Sequence, residues 1–295
     1  MGRGLLQGSI RKKLAILFLA SALPAFAVIF LYGLQSREAS IARSEEELLR
    51  FAAHVAAIQE KTTLSIKGLL ENLPMLPEIR HGFAPASKQI LDRALKTNPY
   101  IGAITLAKPD GRVIATTRQH AAANLAGSKH FQDALASRRF SPGEYLIGRL
   151  EPIPLFPFAC PVLDDHGRVL GMLLASIPLE NFDTLFESMQ FPTGSFIGGC
   201  DHAGTRIFRY PATSAGPIGT PIRQPKYRAA RSGGIDGVDT DVGTDGIERI
   251  VAFRNLRLDP DSPAYMSVFV GAPKSEVHAA AQREMLRNMG IFLSA

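Results

Sequence analysis

Residues 14–34 form a run of 21 residues without a formal charge, LAILFLASALPAFAVIFLYGL. At about 1.5 Å per residue a helix of this length covers roughly 31 Å, which matches the hydrocarbon core of a bilayer. Arg11, Lys12 and Lys13 precede the run, so the positive-inside rule predicts a cytoplasmic segment at 1–13. The sequence therefore predicts a transmembrane helix at 14–34 in the inner membrane, with the bulk of the chain periplasmic.

Two alternatives apply to the apolar segments. Ala25-Phe26-Ala27 has the small-x-small form of a signal-peptide cleavage site, although the apolar residues 28–32 would make a poor start for a mature soluble chain. Near the other end, residues 289–295 are too short to span a membrane. We interpret 276–295 as an exit helix and the start of a second transmembrane segment, with an ordinary helix end as the alternative.

The segment following the apolar run is predicted to be one long helix. Between Ser36 and Leu73 there is no proline and a single glycine, and apolar or small residues recur at steps of three and four. The predicted stripe consists of Leu48, Phe51, Val55, Ile58, Thr62, Ser65 and Leu69. A helix of this length leaving a membrane is a stalk, and its stripe packs either on the domain that follows or against a second copy in a homodimer.

Beyond Pro77 the pattern changes to short strands separated by turn residues. Two hairpins are predicted, because Pro-Asp-Gly and Asp-Asp-His-Gly turns separate apolar runs. A helix with Ser128 as its N-cap lies between the hairpins, and a short helix follows at Leu179–Met189. A second set of antiparallel strands with a helix near Pro225–Arg231 comes next. The predicted fold class is α+β: a long N-terminal membrane and stalk helix, then two antiparallel-sheet modules.

The residues 36–278 resemble a double Cache sensor domain, whose two modules are PAS-like. The likeness is strongest from Gly127 to Phe182 and depends on the order of several short motifs. These motifs are His130-Phe131, Gly148-Arg149, Ala159-Cys160-Pro161-Val162, Asp164-Asp165-His166-Gly167 and Gly171-Met172-Leu173. The resemblance implies a stalk at 35–77, a membrane-distal module holding the ligand at 78–190, and a membrane-proximal module at 191–275.

Two departures from the family pattern bear on the ligand. Ser128 stands where the family's Arg-x-Tyr-Phe pattern has arginine, and Ser176 stands where amino-acid-binding members have aspartate. An α-ammonium group would lose its charged partner at Ser176, and an unpaired buried cation is costly. We therefore expect a ligand other than an amino acid.

The candidate site lies in the first module. Lys129, Arg149 and Arg118 are the candidate anion-binding residues, because ammonium and guanidinium groups form charge-assisted bonds with carboxylates. Tyr145, Phe131, Phe156 and Phe158 are the candidate walls, and the resemblance adds His130 and Ser176 to the site. The alternative for each residue is structural: aromatics in the core and cations in solvent. Together they predict a small anionic or carboxylate ligand.

Other functional classes find little support in the sequence. The net charge is +6, but four of the 33 basic residues fall within 1–13, so no folded basic surface indicates nucleic acid. The acidic stretch Asp236–Glu248 misses the calcium-loop spacing and is interpreted as solvated hairpin turns, so no metal or cofactor is predicted. Cys160 and Cys200 are predicted to be buried free thiols. We find no catalytic motif.

The predicted function is the ligand-sensing input of a bacterial transmembrane receptor. The output would be a histidine kinase, a nucleotide cyclase or a chemoreceptor domain outside this chain, and a two-component system is one such setting. The predicted partners are a small-molecule ligand, the lipid bilayer and a second copy of the stalk. The main alternative is a membrane-tethered solute-binding protein without a cytoplasmic output, and an extracytoplasmic hydrolase is a third.

Overall fold

A computed structural model describes residues 10–118, 124–149, 152–186, 194–222 and 234–294. The predicted helix near Pro225–Arg231 lies outside these residues. The chain divides into two compact units, one made of 1–47 with 274–295 and the other of 48–273. Helix α1, Ile10–Asn72, begins in the first unit and ends in the second. Each unit is described by itself below.

The smaller unit contains the start of α1 and the C-terminal helix α6, Lys274–Ser294. Ser40 Oγ donates a hydrogen bond of 2.7 Å to Glu284, and Arg43 lies 3.1 Å from the same carboxylate. Across the part of the chain that the structure describes, no helical stretch has both the length and the apolar character needed to cross a bilayer. Apart from Leu23, the side chains of the predicted span 14–34 lie outside the described residues.

In the larger unit, α1 buries one face, but this face differs from the predicted stripe. Leu48 and Val55 are buried as predicted, whereas Ser65 is exposed and Ile58, Thr62 and Leu69 are only partly buried. The buried stripe consists of Leu48, Ala52, Val55, Ala56, Gln59, Thr63, Ile66 and Leu70. The stripe predicted from the apolar residues lies about one position away from the buried face, because the structure buries the polar residues Gln59 and Thr63. Thr63 accepts a hydrogen bond of 3.1 Å from Tyr265 Oη.

Helical turns connect α1 to the first sheet. A short 3₁₀ segment, Leu73–Met75, leads into α2, Pro77–Arg80, and α3, Ala84–Lys96. Each of these elements has proline in its first turn, where the missing N–H costs nothing and the fixed φ suits a helix. Helix α3 packs against the first two strands. Neither α2 nor α3 was predicted from the sequence.

The first sheet has the strand order β2-β1-β6-β5-β3, all neighbours antiparallel. The predicted hairpins form β1 with β2 and β5 with β6, and α4 lies between them. The bounds are β1 Ala103–Ala107, β2 Val113–Thr116, α4 Lys129–Ser137, β3 Ser141–Pro142, β4 Leu146–Ile147, β5 Pro154–Leu163 and β6 Val169–Pro178. Strand β4 also pairs with β5.

Aspartates close the hairpin turns through backbone hydrogen bonds. Asp164 accepts from the backbone N–H groups of His166 and Arg168 at 2.9 and 2.8 Å, and from Arg168 Nε at 2.7 Å. The hydrogen bond from the Arg168 backbone is the main cause that lowers the pKa of Asp164 to about 2. These are the contacts expected of an aspartate favoured for turn formation.

The second sheet has the order β8-β7-β11-β10-β9, again antiparallel. Helix α5, Asn181–Phe186, precedes it and is the described part of the helix predicted at Leu179–Met189. The strands are β7 Phe196–Asp201, β8 Arg206–Tyr210, β9 Asp236–Val242, β10 Glu248–Leu256 and β11 Met266–Pro273. The acidic stretch interpreted as turns is largely β9, an edge strand that pairs with β10 and leaves Asp236 and Asp239 exposed.

Both cysteines are buried free thiols, as predicted. Cys160 lies on β5 and Cys200 on β7, so each belongs to a different sheet. Burial raises the pKa of the Cys160 thiol to about 12, and the nearby Glu71 carboxylate acts in the same direction. A thiol held in its neutral form in this way is a packing group and not a nucleophile.

Candidate functional site

A cavity of about 320 Å³ opens on one face of the first sheet, beside the N-terminus of α4. Leu155 and Pro157 of β5 and Leu174 of β6 form part of its floor. Neighbouring side chains on a strand point to opposite faces of the sheet. Phe156 and Phe158 therefore lie on the other face of β5.

The three cationic residues predicted from the sequence all line this cavity. Arg149 Nη1 donates to the Asn124 carbonyl at 2.5 Å, and a Cβ on Gly127 would stand 3.3 Å from its Nη2. Arg118 comes from the end of the β1–β2 hairpin and also lines the cavity. Lys129, in the first turn of α4, forms an ion pair with Asp133 one turn later. The structure thus brings together the predicted Arg118, Lys129 and Arg149.

His130 lines the cavity and is almost fully buried, with 4% of its surface exposed. Its Nδ1 has no hydrogen-bond partner among the described residues, and Nε2 lies 3.4 Å from Ser128 Oγ. Burial is the main cause that lowers the pKa of His130 to about 4, and the positive charges of Arg149 and Lys129 act in the same direction. The imidazole is therefore neutral at physiological pH.

The start of α4 differs in one detail from the prediction. Ser128 occupies the N-cap position but makes no side-chain capping bond, because its hydroxyl donates to the Leu125 carbonyl at 2.9 Å. The N-terminal turn of a helix carries unsatisfied N–H groups and a partial positive charge. This end of α4 therefore adds to the positive potential of the cavity.

The four predicted aromatic walls lie elsewhere. Phe131 is fully buried on the inner side of α4, in a cluster with Ala107, Met172 and Leu174. Phe156 and Phe158 pack edge to face on the opposite side of β5, with ring centroids 5.3 Å apart. Tyr145 is absent from the lining and contacts the second sheet module. These residues fill the core or a module contact because the strand period and the helix face direct them away from the cavity.

Ser176 lies on the cavity floor, paired across the sheet with Ala103 of β1 and Pro157 of β5. Beside it is Thr105, whose hydroxyl forms a buried hydrogen bond of 2.9 Å with Thr116. The floor at this point carries hydroxyl groups and no carboxylate.

Glu144 also lines the cavity, although it was not predicted from the sequence. It is the one carboxylate among the described lining residues, against the cations Arg118, Lys129 and Arg149. Glu144 Oε2 lies 3.4 Å from His202 Nε2 of the β7–β8 turn. A glutamate in an irregular segment gives no periodic signal, so only the sequence position next to Gly143 could have drawn attention to it.

The composition of the lining indicates what kind of molecule the cavity could bind. Among the residues that the structure describes, no group of three His, Cys, Asp or Glu side chains is arranged to hold a metal ion. The lining combines cations, a neutral imidazole, hydroxyl groups and an apolar floor. This combination suits a small molecule with a negatively charged end.

Known structures with a similar fold were found by structural comparison, whereas sequence comparisons found none. No protein-family profile matches the sequence, and a search of curated proteins finds no match. Among solved structures, the chain is similar to the extracellular domain of rpHK1S-Z16, described as a histidine kinase, with a TM-score of 0.70 and 17% identity, covering 80% of this chain and 97% of that one.

Two chemoreceptor domains are similar in the same way. The periplasmic sensory domain of Campylobacter jejuni Tlp1 has a TM-score of 0.62 at 16% identity, covering 81% of this chain and 98% of that one. The ligand-binding domain of Pseudomonas fluorescens CtaA, in complex with L-isoleucine, has a TM-score of 0.62 at 15% identity, covering 83% of this chain and 98% of that one. These likenesses confirm the predicted α+β sensor-domain fold.

Proposed function

We propose that this chain is the extracytoplasmic ligand-sensing region of a bacterial transmembrane receptor, and that its first sheet module binds a small carboxylate. One observation carries the proposal: Arg118, Lys129 and Arg149 line a single cavity at the N-terminus of α4. The similar extracellular domains of histidine kinases and chemoreceptors support the sensory part of the proposal. The cavity volume of about 320 Å³ is at the lower end of the range for ligand sites.

The ligand class follows from the charges. Arg118 and Arg149 line the cavity with one carboxylate, Glu144, which lies 3.4 Å from His202 Nε2, and Lys129 also lines it while paired with Asp133. A small acid would gain charge-assisted hydrogen bonds from the guanidinium groups. An ammonium group at the floor would contact the hydroxyls of Ser176 and Thr105, which are neutral and cannot balance its positive charge. We therefore expect dicarboxylates to bind more tightly than amino acids.

Titration calorimetry of residues 1–295 in detergent tests this proposal. The titrants are succinate, malonate, acetate and isoleucine. Succinate is expected to bind, and Arg149→Ala or Arg118→Ala should weaken its binding by roughly tenfold, the value of about one charged hydrogen bond. The matched control is Arg168→Ala, since Arg168 is exposed on the β5–β6 turn away from the cavity. Equal binding by all variants would remove these residues from the site.

Isoleucine is the discriminating titrant. If it binds in preference to the acids and Glu144→Gln abolishes its binding, then Glu144 holds an ammonium group and the carboxylate-only proposal is wrong. Binding of none of these compounds, with the protein folded, would reject the ligand class.

Membrane anchoring belongs to this proposal. The uncharged run at 14–34 supports a membrane helix, and the basic residues before it support a cytoplasmic N-terminus. A homodimer through the stalk is the arrangement we propose for the receptor. Light scattering of the detergent-solubilised chain checks it, with a monomer mass as the contradicting result.

A membrane-tethered solute-binding protein is the second candidate, because the cavity alone does not require an output domain. A chimaera separates the two functions. Residues 1–295 are fused to the cytoplasmic region of a chemoreceptor, and its kinase control is measured with and without succinate. A ligand-dependent response favours the receptor, and tight binding with no response favours the tethered protein.

A further inference from the structure

Glu144 and Tyr145 are consecutive residues that serve different modules. Glu144 lines the cavity of the first module. Tyr145 is turned away from the cavity, and its phenol ring lies against Gly219 of the second module. We call Glu144–Tyr145 the rim segment, because it forms part of the cavity edge and touches the second module at once.

The second module anchors the rim segment through a buried carboxylate. Asp201, at the end of β7, is 1% exposed. Its Oδ2 accepts a hydrogen bond of 2.9 Å from the Tyr145 backbone N–H, and its Oδ1 accepts one of 2.8 Å from the Thr205 backbone N–H. Bonds from backbone N–H groups to a carboxylate are among the stronger ones in proteins. The same carboxylate thus fixes its own turn and the rim segment.

A glycine determines where the Tyr145 ring can lie. Gly219 has φ = +82°, and a Cβ at this position would stand 2.5 Å from Tyr145 Oη and 2.6 Å from Cζ. Real Cβ atoms do not approach other atoms this closely, so the ring fits only because residue 219 has no side chain. The position of the ring is therefore set by the backbone of the second module.

We propose that Asp201, His202 and Gly219 of the second module are positioning residues for the ligand cavity of the first. They hold Glu144 and Tyr145 in place, so a displacement of the β7–β8 turn moves the cavity edge and alters ligand affinity. By linkage, ligand occupancy must shift the second module by the same free energy. Asp201 pairs with Met266 on β11, so the displacement reaches the central strand of the second sheet. This inference rests on the proposed ligand-binding function.

The chain contains no tryptophan, so one introduced indole can report on the rim. Ile147 lines the cavity and is 50% exposed, so the indole of Ile147→Trp reports on the cavity edge, while succinate binding is measured in chains that keep Ile147. In the full-length chain in detergent, Gly219→Ala is expected to change the emission of this indole without added ligand. It should also weaken succinate binding at least about fivefold, the lower end of usual coupling.

Gly246→Ala is the matched control. Gly246 has φ = +77°, and a Cβ at this position would have nothing within 4 Å, so alanine there imposes similar backbone strain without a collision. In a Tyr145→Ala background, Gly219→Ala should have no effect beyond that of Gly246→Ala, because the colliding ring is gone and only the backbone strain remains. His202→Ala provides a surface variant that tests the same coupling if Gly219→Ala lowers the yield of folded protein.

The outcomes separate this proposal from the function on which it rests. If Gly219→Ala and His202→Ala leave emission and succinate affinity equal to those of Gly246→Ala, the positioning role is wrong. If succinate does not bind the chain that keeps Ile147, the ligand proposal fails. The emission comparison then still decides whether the second module positions the rim, since it needs no ligand.

Discussion

The buried side chain of His130 makes the stability of the protein depend on pH. The pKa of His130 is lowered to about 4 by burial, against an ordinary value of 6.5 in the unfolded chain. The unfolded chain therefore binds a proton more readily, so stability is complete above pH 6.5 and is lost as the pH falls from 6.5 to 4. The shift corresponds to roughly 3 kcal/mol.

We expect His130→Asn to remove most of this dependence. Urea unfolding at pH 7.5 and pH 4.5 measures it, as the change in the free energy of unfolding between the two conditions. His166→Asn is the control, because His166 is exposed on the β5–β6 turn. The same pH dependence in His130→Asn and in the unmodified chain would show that His130 is not its source.

An aspartate in the second sheet module also contributes stability that is lost on acidification, but at lower pH. Asp245 accepts two hydrogen bonds, of 2.7 and 2.8 Å, from the guanidinium of Arg249, whose side chain is 6% exposed. Arg249 is the main cause that lowers the pKa of Asp245 to about 2. The stabilisation is therefore present above pH 4 and is lost as the pH falls through 2.

Asp245→Asn is expected to reduce the free energy of unfolding by about 3 kcal/mol, because it leaves a buried guanidinium without its carboxylate. The comparison variant is Asp236→Asn, which breaks the partly exposed pair with Arg254 and should cost less than about 1 kcal/mol. Chemical denaturation at pH 7 measures both. Equal losses would mean that burial of Arg249 does not determine the effect.

At the scale of elements, α1 shows what a pattern can and cannot predict. Its length and continuity followed from the absence of proline and from the spacing of apolar residues. Its buried face did not, because Gln59 and Thr63 lie inside and Thr63 is satisfied by Tyr265. Burial of Thr63 depends on its hydrogen-bond partner Tyr265, which is 202 residues away along the chain, so a local sequence pattern cannot predict it.

Two leucines on α1 test the observed face. Leu70 is fully buried and Leu64 is 52% exposed. We expect Leu70→Ala to reduce the free energy of unfolding by about 3 kcal/mol and Leu64→Ala to change it by less than about 0.5 kcal/mol. Urea unfolding followed by circular dichroism measures both variants. A similar loss for Leu64→Ala would mean that the opposite face of the helix is also covered.

The candidate site was predictable to a similar extent. Arg118, Lys129, His130, Arg149 and Ser176 were identified from residue chemistry and resemblance, and all line the cavity. The aromatic residues were misassigned because composition does not say which face of β5 or α4 a ring occupies. Glu144 was missed because it lies in an irregular segment, where the contact with His202 and not a period determines its position.

At the scale of the whole molecule, the order of elements was the most predictable property. Among the described residues, both predicted hairpins and α4 form the first module, and antiparallel strands form the second. The strand β9 was the exception, since its aspartates resemble turn residues although the backbone pairs with β10 along its whole length. An edge strand with one face near solvent tolerates such a composition.

The proposed topology predicts where reporter fusions are active. Alkaline phosphatase fused after Leu73 or after Phe182 should be active in a bacterial host, because the enzyme requires an oxidising compartment for its disulfides. β-Galactosidase at the same points should be inactive. The control is removal of residues 1–34, which should reverse both results. Cytosolic activity of the full-length fusions would overturn the extracytoplasmic assignment.

Neighbouring residues of strand β5 lie in two different environments. Leu155 and Pro157 face the cavity, while Phe156 and Phe158 fill the opposite side. Under the proposed function, we expect substitutions at the first pair to alter ligand binding and substitutions at the second pair to reduce stability. We therefore expect that the ligand preference of the protein can change through substitutions at alternate positions of this strand while its hydrophobic core stays unchanged. A saturation mutagenesis scan of this strand should show tolerance that alternates from each residue to the next.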